Sequence, residues 1–300
     1  MIFNLKLSIV IYKMSKPILK WVGGKTQIID KVMSYFPTEI NNYHEPFLGG
    51  GSVLLALLNK VKNNSIKING NIYAYDYNEA LIYFYKNIQT DYITFYNTIK
   101  EYIDEYNSFD EMKGEDNSKE AYYYFMRTTY NSLENKKSMD ASAMFLFLNK
   151  TCFRGMYRVG PNGYNVPFGN YKTPEIVNLE HLKEINILIK DVIFECCDYS
   201  ISLSRVNEND TVYLDPPYAP ENEKSFVGYT DKGFNIKEHN NLFEICKNLK
   251  NVNFIMSNSN VELVISTFEE YNIDTVICKR SINSKNPESK TTEVIITSYF

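Results

Sequence analysis

The stretch Glu45-Pro46-Phe47-Leu48-Gly49-Gly50-Gly51-Ser52, followed at once by the apolar run Val53 to Leu58, constrains this chain more than any other feature. Consecutive glycines ahead of a helix-forming run read as a turn whose backbone passes close to a ligand. The helix that follows offers unpaired N–H groups at its N-terminus. About twenty-five residues later, Ile72-Tyr73-Ala74-Tyr75 reads as a strand with Asp76 at its carboxyl end, where an acid can hold the hydroxyls of a ribose. Glycine turn, helix, strand and acid make up the nucleoside-binding half of a doubly wound α/β sheet. A glycine cluster alone is equally a flexible loop, so the strand and acid at this spacing carry the reading. A dinucleotide site wants G-x-G-x-x-G, whereas Gly49, Gly50 and Gly51 run together, which favours a single adenosine moiety over a pyrophosphate. Gly24-Lys25-Thr26 is not a phosphate loop either, because Leu19 stands where that motif needs glycine.

A second motif, Asp215-Pro216-Pro217-Tyr218, ends the apolar run Thr211-Val212-Tyr213-Leu214, which reads as a buried strand leading into a site. A carboxylate and the carbonyl before a proline both accept hydrogen bonds from an exocyclic amine, and two prolines fix the backbone so that these acceptors converge. The tyrosine can stack on a flat base. This set suits methyl transfer to the amino group of adenine or cytosine, which needs the nitrogen lone pair aligned and no covalent enzyme intermediate. Alone, the same four residues are as readily an ordinary Asp-Pro turn.

Taken in order, the motifs resemble those of the DNA adenine-N6 methyltransferases of the Dam type, in the alpha arrangement, from Ile18 onward. Leu19-Lys20-Trp21-Val22-Gly23-Gly24-Lys25 is similar to that family's N-terminal cofactor motif, and Phe47 to Ser52 to its glycine loop. Asp76 matches the ribose-binding acid and Asp215 to Tyr218 the catalytic motif. Asn149 to Arg158 and Asn165 to Tyr171 are similar to the target-recognition hairpin.

The resemblance implies an α/β fold: a doubly wound, Rossmann-like S-adenosylmethionine-dependent methyltransferase domain with an inserted, mainly helical target-recognition domain and hairpin. It implies a catalytic site at Asp215, Pro216, Pro217 and Tyr218, into which a flipped adenine would enter. Trp21, Lys25, Phe47, Gly49, Asp76, Asp198 and Asp215 would surround S-adenosylmethionine. Lys20, Phe153, Met156, Arg158 and Pro167 match positions implicated in reading GATC in double-stranded DNA. Arg154 departs from the family, which often has asparagine there. A cognate restriction endonuclease acting separately would fit such an enzyme. Amino methylation of RNA, of cytosine N4 or of a protein glutamine, and a catalytically inactive DNA-binding relative, are the competing readings.

Composition sets limits on these expectations. A hydrophobic content of 44% with 25 tyrosines and 18 phenylalanines is globular. The net charge of −4 does not announce a nucleic-acid partner, yet Lys150, Arg154 and Arg158 lie in a stretch, 149–171, that has no acid. A second basic stretch runs from Lys279 and Arg280 through Lys285 to Lys290. The cysteines, at 152, 196, 197, 246 and 278, form no C-x-x-C pair, so no metal or disulfide framework is expected and a reducing, cytoplasmic setting (the host's, if the source is viral) is the simpler one. Residues 1–13 are too short to span a membrane and lack a cleavage site.

Period and breakers give the rest. Thr26 to Tyr35, 79–105, 118–134, Ala141 to Leu148, 200–206 and 237–249 read as helices. Asp191 to Cys196, Thr211 to Leu214, Val252 to Met256, Ile273 to Ile277 and Val294 to Tyr299 read as strands. The expected division is an extension at 1–14, a split catalytic domain at 15–86 and 180–300, and a recognition domain at 87–179. Tyr83, Tyr85, Tyr92 and Tyr122 to Tyr124 suggest a base-stacking face, though at helical spacing such residues more often form core.

Overall fold

The structure is a computed structural model that describes residues 15–109, 118–220, 234–279 and 290–298. Its strands, in chain order, are β1 (Glu39–Ile40), β2 (Tyr43–Glu45), β3 (Lys67–Ile68), β4 (Ile72–Asp76), β5 (Val159–Gly160), β6 (Gly163–Tyr164), β7 (Val192–Cys196), β8 (Thr211–Leu214), β9 (Asn253–Ser259), β10 (Asn272–Lys279) and β11 (Lys290–Thr297). Seven of them form one sheet in the order β10-β11-β9-β8-β2-β4-β7. Strands β9, β8, β2, β4 and β7 run parallel, and β11 lies antiparallel between β9 and β10. β1 pairs with β3 in a small parallel sheet, and β5 with β6 in a hairpin.

Helices cover both faces of the large sheet, which is why its central strands are apolar on both sides. Tyr213, Ile255 and Ile295 face the cluster that also holds residues of α1 (Ile29–Met33), α2 (Ser52–Lys62), α3 (Glu79–Ser108) and α6 (Leu179–Leu188). Val212, Leu214, Phe254, Met256, Val294 and Ile296 face the cluster formed with α7 (Tyr199–Leu203), α8 (Ile236–Asn248) and α9 (Glu262–Thr267). From β2 the chain proceeds outward to β4 and β7, then returns to β8 on the other side of β2 and moves outward to β9. The strand order therefore reverses between β2 and β8, and a parallel α/β sheet opens a crevice at the carboxyl ends of its strands at such a point.

The segment between β4 and β7 is mainly helical. α3 is kinked at Asp91, whose φ of −155° is not helical, and the Asp91 carboxylate accepts from the amides of Ile93 and Thr94 to start a second helix. α4 (Lys119–Ser132) and α5 (Met139–Thr151) begin at Ser118 and Ser138, whose side chains accept from the amides of Ala121 and Ala141. The boundary expected at residue 86 lies inside α3, upstream of that kink. Phe145, Phe147 and Tyr123 from this segment belong to the same apolar cluster as the adjoining face of the sheet, so the segment shares one core with it.

Three sequence expectations shift. The helix read over Thr26 to Tyr35 is a 3-10 turn, Lys25–Gln27, followed by the shorter α1. β9 continues past Met256, because the polar Ser257, Asn258 and Ser259 still pair with Ile295, Val294 and Glu293 of β11. Tyr85, Tyr122 and Tyr123 are buried and Tyr83, Tyr92 and Tyr124 half-buried, so those faces are core rather than a stacking surface. The extension at 1–14 and most of the second basic stretch lie outside the described residues. Among the described residues, no helix is long and apolar enough to cross a membrane, and no cluster of His, Cys, Asp or Glu is arranged to hold a metal.

Candidate active site

Acids end three neighbouring parallel strands at the crevice: Glu45 on β2, Asp76 on β4 and Asp215 directly after β8. The amides of Gly49 and Asn78 donate to the Asp76 carboxylate at 3.0 and 2.9 Å, so the glycine turn and the start of α3 close over it. Burial nevertheless pushes Asp76 up to about 6. Glu45 is 2% exposed and accepts from the Tyr43 hydroxyl at 2.7 Å. Burial, with the negative charges of Asp215 and Asp76 adding to it, pushes Glu45 up to about 8.

The glycines are required by what packs against them. A Cβ on Gly50 would lie 2.8 Å from Cβ of Trp21, and one on Gly51 would lie 2.7 Å from the Tyr85 hydroxyl, which donates to the Gly50 carbonyl at 2.8 Å. Gly51 also has φ of +69°, a left-handed conformation disfavoured for other residues. Trp21 is itself stacked on Tyr157 with centroids 5.3 Å apart. The N-terminal motif thus lies across the glycine turn, and an open cleft between them is lined by Leu19, Lys20, Trp21, Gly24, Gly50 and Ser52.

Lys25 links the two halves of the site. Its amide donates to the Ser52 hydroxyl at 3.1 Å, and its buried Nζ donates to the Gly23 carbonyl at 2.6 Å and lies 2.7 Å from Oδ2 of Asp215. Desolvation raises Asp215 to about 6, against the pull of the Lys25 cation. Nζ also lies 5.0 Å from the centre of the Tyr218 ring. Pro216 is buried and Pro217 half-buried between the two. On the far side Phe47 stacks on Tyr199 at 5.7 Å, with Phe234 edge-on. Asp198, adjacent to Tyr199, accepts from the Ser200 amide and hydroxyl and caps α7.

The hairpin approaches from the N-terminal motif. Asn149, buried on α5, accepts from the Lys20 amide at 2.9 Å and donates to the Lys20 carbonyl at 2.8 Å. Lys20 Nζ lies over the Tyr171 ring at 4.3 Å, and the Tyr171 hydroxyl accepts from the Arg154 amide at 2.9 Å. Phe153 is 44% exposed, and its amide donates to the Pro167 carbonyl at 2.8 Å. Lys20, Phe153, Arg154 and Pro167 therefore share one surface. Arg158 is exposed on the hairpin, with Nε donating to the Asn165 side chain at 2.6 Å. Met156 is half-buried against the core. α4 supports the hairpin: Tyr123 and Arg127 donate to the Val166 carbonyl, and Asn131 bonds both the amide and the carbonyl of Tyr164.

Glu45, Glu293 and Tyr157 had no individual role assigned from the sequence, and Tyr85, grouped there with a stacking face, instead holds the glycine turn. Glu45 had a visible signal, an acid ending a buried strand beside the glycine turn. Glu293, whose carboxylate accepts from the Tyr218 hydroxyl at 2.7 Å, stands among polar residues just ahead of the apolar run Val294 to Ile296, so nothing local singles it out. Tyr85 and Tyr157 were hidden among many aromatics, since stacking partners distant in sequence leave no local pattern.

Comparison with known proteins agrees with this geometry. Residues 21–282 match the family model of the D12 class N6 adenine-specific DNA methyltransferases. The chain is 37% identical over 288 residues to the type II methyltransferase M.MjaIII of Methanocaldococcus jannaschii, covering 92% of this chain and 95% of that protein. It is 29% identical over 287 residues to the DNA adenine methylase of Haemophilus influenzae, covering 92% and 90%. With the DNA adenine methylase of Escherichia coli K12 it shares 28% identity over 298 residues, covering 96% of each. The chain belongs to the D12 class N6 adenine-specific DNA methyltransferase family.

Proposed function

We propose that this methyltransferase transfers a methyl group from S-adenosylmethionine to N6 of adenine within GATC in double-stranded DNA, with the target base flipped into the pocket at Asp215. The observation that carries the reading is the Lys25–Asp215 pair at 2.7 Å, roofed by Tyr218, at the crevice where strand order reverses. The chain's residues fit the cofactor: Asp76 stands at a strand end beside the glycine turn, where ribose hydroxyls are held. Bound there, S-adenosylmethionine supplies an electrophilic methyl on a sulfonium. Asp76 would hold its ribose, Phe47 and Gly49 would border it, Trp21 and Lys25 would contact it, and Asp198 would sit by its adenine.

Asp215 and the Pro216 carbonyl accept from the N6 hydrogens, which aims the nitrogen lone pair and stabilises positive charge developing on that nitrogen. Tyr218 stacks on the base, and Pro217 stiffens the turn. Lys25 keeps the Asp215 carboxylate ionised and therefore accepting only. No covalent intermediate with the protein forms.

Residues 87–179 act as the target-recognition domain on this reading. Arg158 offers bidentate contact to guanine O6 and N7, held in place by Asn165. Phe153 is an exposed wedge, Pro167 and Met156 meet a thymine methyl, and Lys20 and Arg154 approach the flanking positions. The type II names of relatives support a partner nuclease acting separately. Incubation with labelled S-adenosylmethionine and duplexes containing GATC, GACT or N6-methylated GATC tests the reading. Label in unmethylated GATC alone is the expected result. Label in GACT discards the sequence specificity, and no label in any duplex discards the reaction.

A further inference from the structure

The loop that carries the catalytic motif is fastened to the two strands beyond β8. The Ala219 amide donates to Oδ1 of Asn258 at 3.0 Å, and the Ser259 hydroxyl donates to the Ala219 carbonyl at 2.5 Å, both partners being on β9. One strand further on, Oε2 of Glu293 on the antiparallel β11 accepts from the Tyr218 hydroxyl at 2.7 Å. Glu293 is in register with Ser259, so the strand pairing that positions one fastening also positions the other. Among the described residues, the groups facing this corner are Lys25 from the N-terminal turn, Glu45 from β2, Tyr213 and Asp215 from β8 and its loop, Tyr218 itself, and Cys278 from β10.

We infer that Glu293 is a positioning residue for methyl transfer, which holds the Tyr218 ring at the angle the flipped base stacks on and places a negative charge behind the reacting amine. The inference rests on the proposed adenine-N6 reaction. A tyrosine ring at a loop end has free rotation about its side-chain bonds, and stacking is productive in one orientation only. A short, charge-assisted hydrogen bond from a strand in the middle of a sheet removes that freedom before the base arrives. Glu293 also adds to the negative field at Asp215, and so raises the pH at which that acid takes up a proton. Tyr218 carries the effect on geometry, and Asp215 carries the effect on charge.

The test measures single-turnover methyl transfer to a GATC duplex as a function of pH, for the wild type, Glu293→Ala, Glu293→Gln, Tyr218→Phe and the double variant Glu293→Ala/Tyr218→Phe. Glu293→Ala is expected to slow transfer at least tenfold, and Tyr218→Phe by a similar factor, with the double variant no slower than the slower single one. Glu293→Gln keeps an acceptor of the same shape. It is expected to recover most of the rate with the acid limb moved to lower pH, a shift that a merely structural role would not produce. A wild-type rate in Glu293→Ala, or effects of the two single variants that multiply in the double one, would overturn the inference. Glu293→Gln keeps the question open to decision if the alanine variant does not fold, because an unmoved acid limb with a wild-type rate would equally overturn it. An inactive wild type would remove the adenine-N6 reading itself, and the inference with it.

Discussion

At the residue scale, the site's acids are set apart by how each is compensated. Glu45 accepts from the Tyr43 hydroxyl and the Leu54 amide and, among the described residues, forms no ion pair, so burial keeps it protonated at neutral pH, with its value pushed from 4.5 to about 8. The folded chain then binds a proton that the unfolded chain has lost between about pH 4.5 and 8, and stability from this residue declines as pH rises through that window. Glu45→Gln removes the titration, so its melting temperature relative to the wild type should climb from pH 5 to pH 8; parallel curves would show that Glu45 is ionised when folded. Asp215 has its cation in Lys25 and titrates near 6. The transfer rate should fall about tenfold per pH unit below that value, as expected of one ionised acceptor, and a rate level down to pH 5 would speak against it. Gly51→Ala is expected to lower the melting temperature, since a left-handed alanine costs about 1–2 kcal/mol and its Cβ would also displace the Tyr85 hydroxyl.

At the level of elements, strands whose side chains are apolar on both faces were legible as runs. Thr211 to Leu214 is the strand read from the sequence, and Asn253–Ser259 overran its reading because pairing with β11, not hydrophobicity, sustains its polar end. Helices 79–108 and 119–132 were visible from their period, but the kink at Asp91 was not, since an aspartate in a helical pattern gives no sign that it caps a second helix. The hairpin's support was equally hidden, because Asn131 meets Tyr164 from 33 residues away. Asn131→Ala deletes both bonds to Tyr164, a local loss of about 1–3 kcal/mol. Duplex DNA should bind that variant more weakly while S-adenosylmethionine binds unchanged; equal DNA affinity would mean that the hairpin holds its shape without α4.

For the whole molecule, the glycine-turn and Asp-Pro-Pro-Tyr motifs foretold a mostly parallel α/β sheet because each sits at a strand end or helix start, where sequence and position are tied. What it left out are contacts between distant segments: Trp21 on Tyr157, Tyr85 on Gly50 and Tyr218 on Glu293. Such pairs are decided by how elements pack, and neither period nor spacing reports that. The chain carries a net charge of −4, so attraction to DNA has to come from the local basic surface around Lys20 and Arg154. Binding should weaken with salt, and Arg154→Gln should flatten the logarithmic salt slope by about 0.9 if that side chain neutralises one phosphate. An unaltered slope would take Arg154 off the DNA surface.

The central claim is that the acid at the end of β8 aligns the N6 amine of adenine. Its most direct test is nucleoside analysis of duplex DNA treated with wild-type protein or with Asp215→Ala of matched melting temperature. N6-methyladenine from the wild type alone is the predicted result. Methylation at cytosine N4, or N6-methyladenine formed at a near-normal rate by Asp215→Ala, would contradict it.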